Sequence, residues 1–323
     1  MIKISIIVPL YNVEQFIEKC VSSVYNQNLQ HKEFELIIVN DGSTDQSLSI
    51  AQDLIANKPN AKIISQQNKG LGGARNTGVL NANGEYLIFL DTDDWLLPNV
   101  LGHIVDLAID EKLDILEFAA QGVNTKGAIL YHVKNKSRIY LSGCEYYNAV
   151  RYMNSACNKL YKRTFLTDNH LLFLEKIYIE DFEFNTRCLI NATRVMATDK
   201  LVAQFLQSEN SITRNTDEAK KQKMIGDILF VIKITEKLYH KHVANKVEHN
   251  FFLERLSFLV ATLFYQLLKS KATYKEMNTL RLQLIEDGAY YVEHKIFDDK
   301  KNLFRILLLK NFWTFRIIKL FVK

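Results

Sequence analysis

The run from Glu85 to Asp94, Glu-Tyr-Leu-Ile-Phe-Leu-Asp-Thr-Asp-Asp, constrains the fold more than any other stretch of the 323 residues. Residues 86–90 are continuously apolar, short and bulky, as in a strand covered on both faces of a parallel sheet. Asp91, Asp93 and Asp94 follow at its carboxyl end, the edge where open α/β sheets bind ligands. Carboxylates this close repel one another, and a divalent cation with hard oxygen ligands, Mg²⁺ or Mn²⁺ shared with phosphates, would relieve the repulsion. The other use of these residues is a solvated acidic turn, with Asp94 as N-cap of a following helix.

Upstream, strand and helix signals alternate. Residues 4–8 form an apolar strand ended by Pro9, and Tyr11-Asn12 opens a helix with Val13, Phe16, Ile17, Cys20, Val21 and Val24 on one face. Residues 34–39 are a second strand, followed by the polar turn Asn-Asp-Gly-Ser-Thr-Asp, in which Ser43 or Thr44 caps a helix running through Ile55. Residues 61–65 are a third strand, and residues 70–83 hold a helix begun by a glycine-rich turn. Repeated βα units predict a Rossmann-like, mostly parallel sheet flanked by helices. A hydrophobic content of 48% with 3 Pro and 12 Gly suits a compact chain. From Asp217 long helical periodicity takes over, with Met224, Ile228, Phe230, Val231 and Ile234 on one face and a strongly apolar stretch at 251–268. Two domains follow, a catalytic 1–215 and an all-helical 216–323. No apolar run is expected to cross a bilayer.

Two nucleotide-site classes drop out. The first strand is followed by Leu-Tyr-Asn-Val rather than G-x-G-x-x-G, and no G-x-x-x-x-G-K-[ST] occurs. What remains at the sheet edge is Asp41, Tyr11, Arg75, Asp91 and Asp93. A carboxylate at Asp41 can accept from the NH of a uracil-like base, Tyr11 can pack on the ring, and Arg75 can pair with a phosphate. Their structural alternatives are a turn former, a core aromatic and a solvated helix charge.

Val-Pro-Leu-Tyr-Asn, Val-Asn-Asp-Gly-Ser-Thr-Asp, Gly-Ala-Arg-Asn-Thr-Gly and Leu-Asp-Thr-Asp-Asp together resemble the bacterial family 2 glycosyltransferases of GT-A fold. Asn-Lys-Leu-Tyr-Lys-Arg at 158–163, Ile-Glu-Asp-Phe-Glu-Phe at 179–184 and Glu-Asn-Ser-Ile-Thr at 209–213 extend the resemblance to residues 1–213. It implies that Pro9, Tyr11, Asp41, Arg75, Asp91 and Thr92 hold the nucleotide-sugar donor, with Asn12, Lys69 and Asp94 as secondary candidates. It also implies that Asp91 and Asp93 form the D-x-D motif, with Asp93 on the metal, and that Asp181 is the catalytic base. Two positions depart from the pattern: Cys157 stands where many relatives have Trp, and Leu206 where many have Arg.

The chemistry expected of such a site is metal-assisted single displacement. A bound Mn²⁺ or Mg²⁺ stabilises the leaving diphosphate, and a carboxylate on the opposite face takes the acceptor proton. From an α-linked donor the product is β-linked. Glu180 and Glu183 rival Asp181 as base, but successive helical residues turn by about 100°, so the three acids are not expected to share one pocket. Lys159 and Arg163 either counter diphosphate charge or belong to a solvated helix face. UDP is the expected carrier, a glycan or glycolipid the acceptor, and bacterial surface polysaccharide the product. The alternatives are a haloacid-dehalogenase-like phosphatase built on Asp91 and Asp93, and a catalytically silent nucleotide-sugar-binding scaffold.

Four scattered cysteines and an N-terminus that reads as a strand predict a cytoplasmic chain. Residues 303–323 read as a basic amphipathic helix, with Arg305, Arg316, Lys319 and Lys323 on one side of a wheel and no acid after Asp299. Such a helix lies on the inner face of the cytoplasmic membrane, docks on the core or joins a second subunit. No nucleic-acid motif accompanies its charge.

Overall fold

The computed structural model describes residues 1–133, 138–150, 153–207 and 217–318, with the Ile318 side chain left aside. The chain divides into two compact units, Met1–Ser211 and Ile212–Lys323. The expected boundary at 215/216, the 209–213 motif, and Lys319, Phe321 and Lys323 of the tail lie outside the described residues.

The first unit opens with β1 (Ile4–Leu10), α1 (Ile17–Tyr25), β2 (Phe34–Asn40), α2 (Ser47–Ile55), β3 (Ala61–Ser65), α3 (Gly70–Leu80) and β4 (Tyr86–Phe89). It continues through β5 (Trp95–Leu96), α4 (Leu101–Asp110), β6 (Ile115–Val123), β7 (Ile129–Val133), β8 (Arg138–Tyr140) and α5 (Gly143–Ala149). The last elements are β9 (Lys159–Lys162), α6 (Arg163–Asp168), α7 (Glu180–Asn191) and β10 (Val195–Leu206). One sheet joins the strands in the order β3-β2-β1-β4-β9-β6-β10-β5, with β7 on β6 and β8 on β10.

β3, β2, β1 and β4 are mutually parallel, and Ile7 faces Ile37 on one side and Phe89 on the other. Every residue of β1, β2 and β4 is buried, which is why these strands read as mainly apolar runs; within them the polar Ser5 and Glu35 hydrogen-bond to each other. β9 runs antiparallel between β4 and β6, so its first residue, Lys159, and the segment before it lie at the edge where β4 delivers Asp91. α7 returns the chain to β10, which is parallel to β6, and its N-terminus therefore opens on that same edge.

Two helix starts differ from expectation. α1 begins at Ile17, because Asn12 adopts a left-handed φ of 52° and the chain then turns against α2, with the Val13 amide donating to Ser47 Oγ at 2.8 Å. α2 begins at Ser47 without a side-chain cap. The Ser43 and Thr44 amides are satisfied by Asn40 Oδ1 and Asn12 Oδ1, which makes both turn residues.

The regular elements among the second unit's described residues are helices, α8 (Glu218–His242), α9 (Lys246–Lys269), α10 (Tyr274–Glu286), α11 (Asp299–Phe304) and α12 (Phe315–Ile318), with an irregular stretch over residues 287–298. α9 is its core, with Phe251, Phe252, Leu256, Leu259, Val260, Leu263 and Phe264 buried. By length and composition alone it is apolar enough to cross a membrane, but Glu254 and Arg255 interrupt its apolar stretch and 61% of its apolar window is buried. On α8 the buried face is Ile225, Ile228, Val231, Ile232 and Thr235, and Phe230 is 48% exposed rather than inside.

The expected tail helix is broken. A π-helical turn at Arg305–Leu309 and a 3-10 turn at Phe312–Thr314 separate α11 from α12, so no single wheel describes its faces. Arg305 is buried, donating to the Val292 carbonyl, while Leu308, Leu309, Phe312 and Phe315 pack inward. Leu303, Ile306, Leu307, Trp313 and Ile317 remain exposed.

Candidate active site

The parallel register places the ends of β1, β2 and β3 side by side. Leu10 pairs with Asn40, and the Asp41 amide donates to the Leu10 carbonyl at 2.9 Å. Asp41 is 2% exposed, and its Oδ1 accepts from Gln66 Nε2 at 2.7 Å and from the Lys69 amide at 2.8 Å. It therefore organises the 66–69 turn while sitting at the floor of the edge. Tyr11, next along from Leu10, is 50% exposed and is no core residue. The Lys69 side chain is exposed, and Asn12 Oδ1 receives the Thr44 amide.

At the end of β4 the acids take different environments. Asp91 Oδ1 accepts from Arg75 Nη2 at 2.8 Å. The Thr92 hydroxyl donates to the Pro9 carbonyl, tying the ends of β1 and β4 together. Asp93 accepts no hydrogen bond from any other described side chain or amide, and burial together with Asp91 pushes its carboxyl up to about 6. Asp94 caps no helix, since α4 starts at Leu101. It is buried, accepts the Leu206 amide at 2.8 Å, and burial followed by Asp93 and Asp91 pushes its carboxyl well up. Leu206, the position that departs from the family pattern, thus closes on this turn through its backbone.

Arg75 is the hub. Its side chain is 1% exposed, with the guanidinium carbon 5.2 Å from the Phe173 ring centroid and 6.0 Å from that of Phe89. Nη1 donates to Asp181 Oδ1 at 2.5 Å and to Glu180 Oε1 at 3.3 Å, and Nη2 lies 3.5 Å from Cys157 Sγ. Burial opposes its charge, but Asp181, Asp91, Cys157 and Glu180 outweigh burial and hold it well above the ordinary arginine value. This guanidinium joins the acid after β4 to the acids opening α7.

As expected, the three acids do not all face one pocket; Glu180 and Asp181 both reach Arg75, because the first helical residue follows a sharp turn. Ile179 has a φ of 60°, a left-handed conformation that costs a β-branched residue about 1–2 kcal/mol. Asp181 Oδ2 accepts the Ala156 amide at 2.9 Å, so both carboxylate oxygens are held. Burial and Asp181 raise the Glu180 carboxyl above its ordinary range. Glu183 turns away, buried against Arg187 at 2.6 Å.

Lys159 and Arg163 do not face this edge as free cations. Lys159 is 1% exposed on β9 and donates to the Met153 and Ser155 carbonyls; burial lowers its ammonium. Arg163 Nε donates to the Gly84 carbonyl.

The sequence reading missed Asn76 and Gln66 as site builders. Asn76 brackets Phe173, accepting its amide at 2.7 Å and donating to its carbonyl at 2.9 Å, which seats the aromatic bed of Arg75. Its signal lay in the Arg-Asn pair of the glycine-rich motif. At Gly72 a Cβ would stand 2.5 Å from the Leu174 carbonyl oxygen, so only glycine lets α3 approach this segment so closely.

Among the described residues no group of three or more His, Cys, Asp and Glu side chains is arranged to hold a metal by itself. The donor set fits a cation shared with substrate: one or two carboxylates with phosphate oxygens completing the shell is the usual pattern for Mg²⁺. The carboxylate of Asp93, recessed and without a donor among the described residues, answers to that use.

A half-sheet in the order β3-β2-β1-β4 with carboxylates at its carboxyl edge defines the doubly wound class built around nucleotide sites. The model for glycosyl transferase family 2 matches residues 5–178, more than half of the chain, and the chain belongs to that family. The uncharacterized glycosyltransferase EpsJ of Bacillus subtilis is 32% identical over 228 residues, 65% of this chain and 62% of that protein. TarS of Staphylococcus aureus, a poly(ribitol-phosphate) beta-N-acetylglucosaminyltransferase, is 31% identical over 204 residues, 60% of this chain and 34% of TarS. The matched segments thus span less than two thirds of these relatives. The crystal structure of TarS 1-349 with UDP-GlcNAc aligns with a TM-score of 0.60 at 24% identity, covering 90% of this chain and 93% of that one. The mannosyltransferase PcManGT of Pyrobaculum calidifontis, in complex with GDP-Man and Mn²⁺, aligns at 0.58 and 16% identity, covering 96% and 87%. The fold is that of GT-A glycosyltransferases, as the sequence motifs predicted, and family membership displaces the phosphatase reading of Asp91 and Asp93.

Proposed function

We propose that this chain is an inverting glycosyltransferase that moves a sugar from a UDP-sugar to a hydroxyl of a bacterial surface glycan or glycolipid, forming a β-linkage. The observation that carries the reading is the Arg75 bridge, which sets the acid after β4 and the acid opening α7 on two nitrogens of one guanidinium, at 2.8 and 2.5 Å. Donor-side and acceptor-side carboxylates are thereby fixed across one small site. The UDP-GlcNAc bound by TarS supports the choice of carrier.

In this reading Tyr11 packs on the base and recessed Asp41 receives its NH, while Asp91 orients the ribose or donor sugar. A divalent cation held by Asp93 supplies neutralisation of the charge developing on the leaving diphosphate. Asp181 takes the proton of the acceptor hydroxyl as its oxygen forms the new bond to the anomeric carbon and the bond to the diphosphate breaks. Arg75 and the Ala156 amide hold that carboxylate in line, each leaving lone-pair capacity on the oxygen it contacts.

Calorimetric titration with UDP-N-acetylglucosamine and other nucleotide sugars, with and without Mn²⁺, tests the donor site. Metal-dependent binding is expected, and Asp93→Ala should abolish the metal requirement together with most of the affinity. Because Asp93 titrates near 6, a proton competes with the cation below that pH, and Mn²⁺-dependent affinity should fall by up to about tenfold per unit as pH drops from 6. Affinity that stays flat from pH 7.5 to 5 would remove Asp93 as the ligand.

We also assign the exposed Leu303, Ile306, Leu307, Trp313 and Ile317 to an anionic membrane surface, since no acid follows Asp299, and Lys300 and Arg316 are exposed around them, while Lys310 pairs with Glu293. Leu307→Glu with Trp313→Glu should abolish co-flotation with phosphatidylglycerol vesicles without lowering thermal stability. Unchanged flotation would assign the patch to a protein partner.

A further inference from the structure

We propose that Lys159 is a positioning residue for the base carboxylate, gripping the segment whose Ala156 amide holds Asp181. The inference rests on the transferase reading above. An ammonium has three hydrogens to donate. Among the described residues that of Lys159 donates to the Met153 carbonyl at 2.8 Å, the Ser155 carbonyl at 2.6 Å and Asn158 Oδ1 at 2.7 Å. Glu117, 0% exposed on the neighbouring strand β6, stands 3.5 Å away and balances the charge.

The carbonyl between the two gripped ones, that of Asn154, accepts from Asn185 Nδ2 at 3.2 Å. Asn185 lies one turn beyond Asp181 on α7, and its Oδ1 accepts from the Tyr161 hydroxyl of β9 at 2.7 Å. Three successive carbonyls are therefore held, two by the lysine and one by the helix that carries the base. The next free amide in line, Ala156, meets Asp181 Oδ2 at 2.9 Å.

A buried ion pair is a poor way to stabilise a strand end, since well-packed apolar side chains of similar volume often do as well or better. An ammonium, with three donors on one atom, can however gather several carbonyls at a point and so define the path of an irregular segment. The ammonium is enclosed by protein oxygens at hydrogen-bond distance, and so acts through the segment rather than on substrate.

The test compares wild type, Lys159→Met, Asp181→Asn and the double variant by UDP release from UDP-N-acetylglucosamine with Mn²⁺, alongside calorimetric UDP stoichiometry. Lys159→Met is expected to lower kcat by about tenfold or more with donor KM within about threefold and full UDP stoichiometry. On the Asp181→Asn background the same substitution should change kcat by less than about threefold, because the group being positioned is gone. If Lys159→Met does not fold, Glu117→Leu with Lys159→Leu removes both charges together, a change that buried pairs tolerate, and carries the same comparisons. An active wild type whose kcat survives the loss of Lys159, or loses as much again without Asp181, overturns this inference alone. A wild type that binds UDP but releases none from any nucleotide sugar overturns the transferase reading and this inference with it.

Discussion

Asp181→Asn is expected to lower turnover by about 10²-fold or more, the usual contribution of a positioned general base, while donor affinity stays within a few-fold of wild type. The amide keeps the carboxylate's shape and its oxygen can still receive the Ala156 amide, but the charge-assisted contact with Arg75 Nη1 is given up, so thermal stability is measured alongside turnover. Glu180→Gln is the control. Its contact with Arg75 is long at 3.3 Å, and burial and Asp181 already favour its neutral form, so turnover should fall by less than about tenfold. Steady-state UDP release and donor calorimetry on the two variants decide the assignment. Near wild-type turnover in Asp181→Asn would remove this residue as base, and a large loss in Glu180→Gln would move the role one position back.

Arg75→Met should be the most destabilising of the site substitutions. It leaves Asp91, Asp181 and Glu180 without the cation that holds them together, and breaking a buried ion pair from one side costs about 3–5 kcal/mol. For a unit of this size that corresponds to a Tm lower by roughly 6–20 °C. The deficit should also depend on pH with a definite sign. Carboxylates left without a counter-charge hold protons longer in the folded state than in the unfolded one, so stability falls as pH rises and the gap to wild type narrows in acid. Arg75→Lys should recover part of the Tm but little activity, since one ammonium cannot present two nitrogens to Asp91 and Asp181. Thermal scans from pH 5 to 8 test both statements. A Tm for Arg75→Met equal to wild type at every pH would show that the carboxylates are not held by this arginine.

The parallel half of the sheet was legible because burial on both faces leaves a direct mark in the chain: β1, β2 and β4 are runs with no polar alternation, and each ends in the residues that build the edge. Asp41, Asp91 and Asp93 were found for that reason, and the D-x-D stretch announced its own electrostatic problem. Helix starts were less legible. Whether Asn12 begins a helix or breaks one depended on the side chains of Ser47, which opens α2, and Asp45 just before it, which receive the Val13 and Glu14 amides from more than thirty residues away in the chain. The tail misled in a similar way, since a wheel assumes one continuous helix and the π-helical and 3-10 turns rotate the faces after Leu303.

The roles of charged residues depended most on the tertiary structure. From residue types alone Arg75 suits a phosphate and Lys159 a solvated face, because local pattern records that a charge is present and not what surrounds it. The Arg75–Asp181 contact joins residues 106 positions apart, and it exists only because α3 and the start of α7 meet at one sheet edge. Local hydrophobic order thus determined the strands, their direction and the acids at their ends. The pairing of those acids was decided by packing, since the energy of a charge inside a protein is set by neighbours that the chain brings together only on folding.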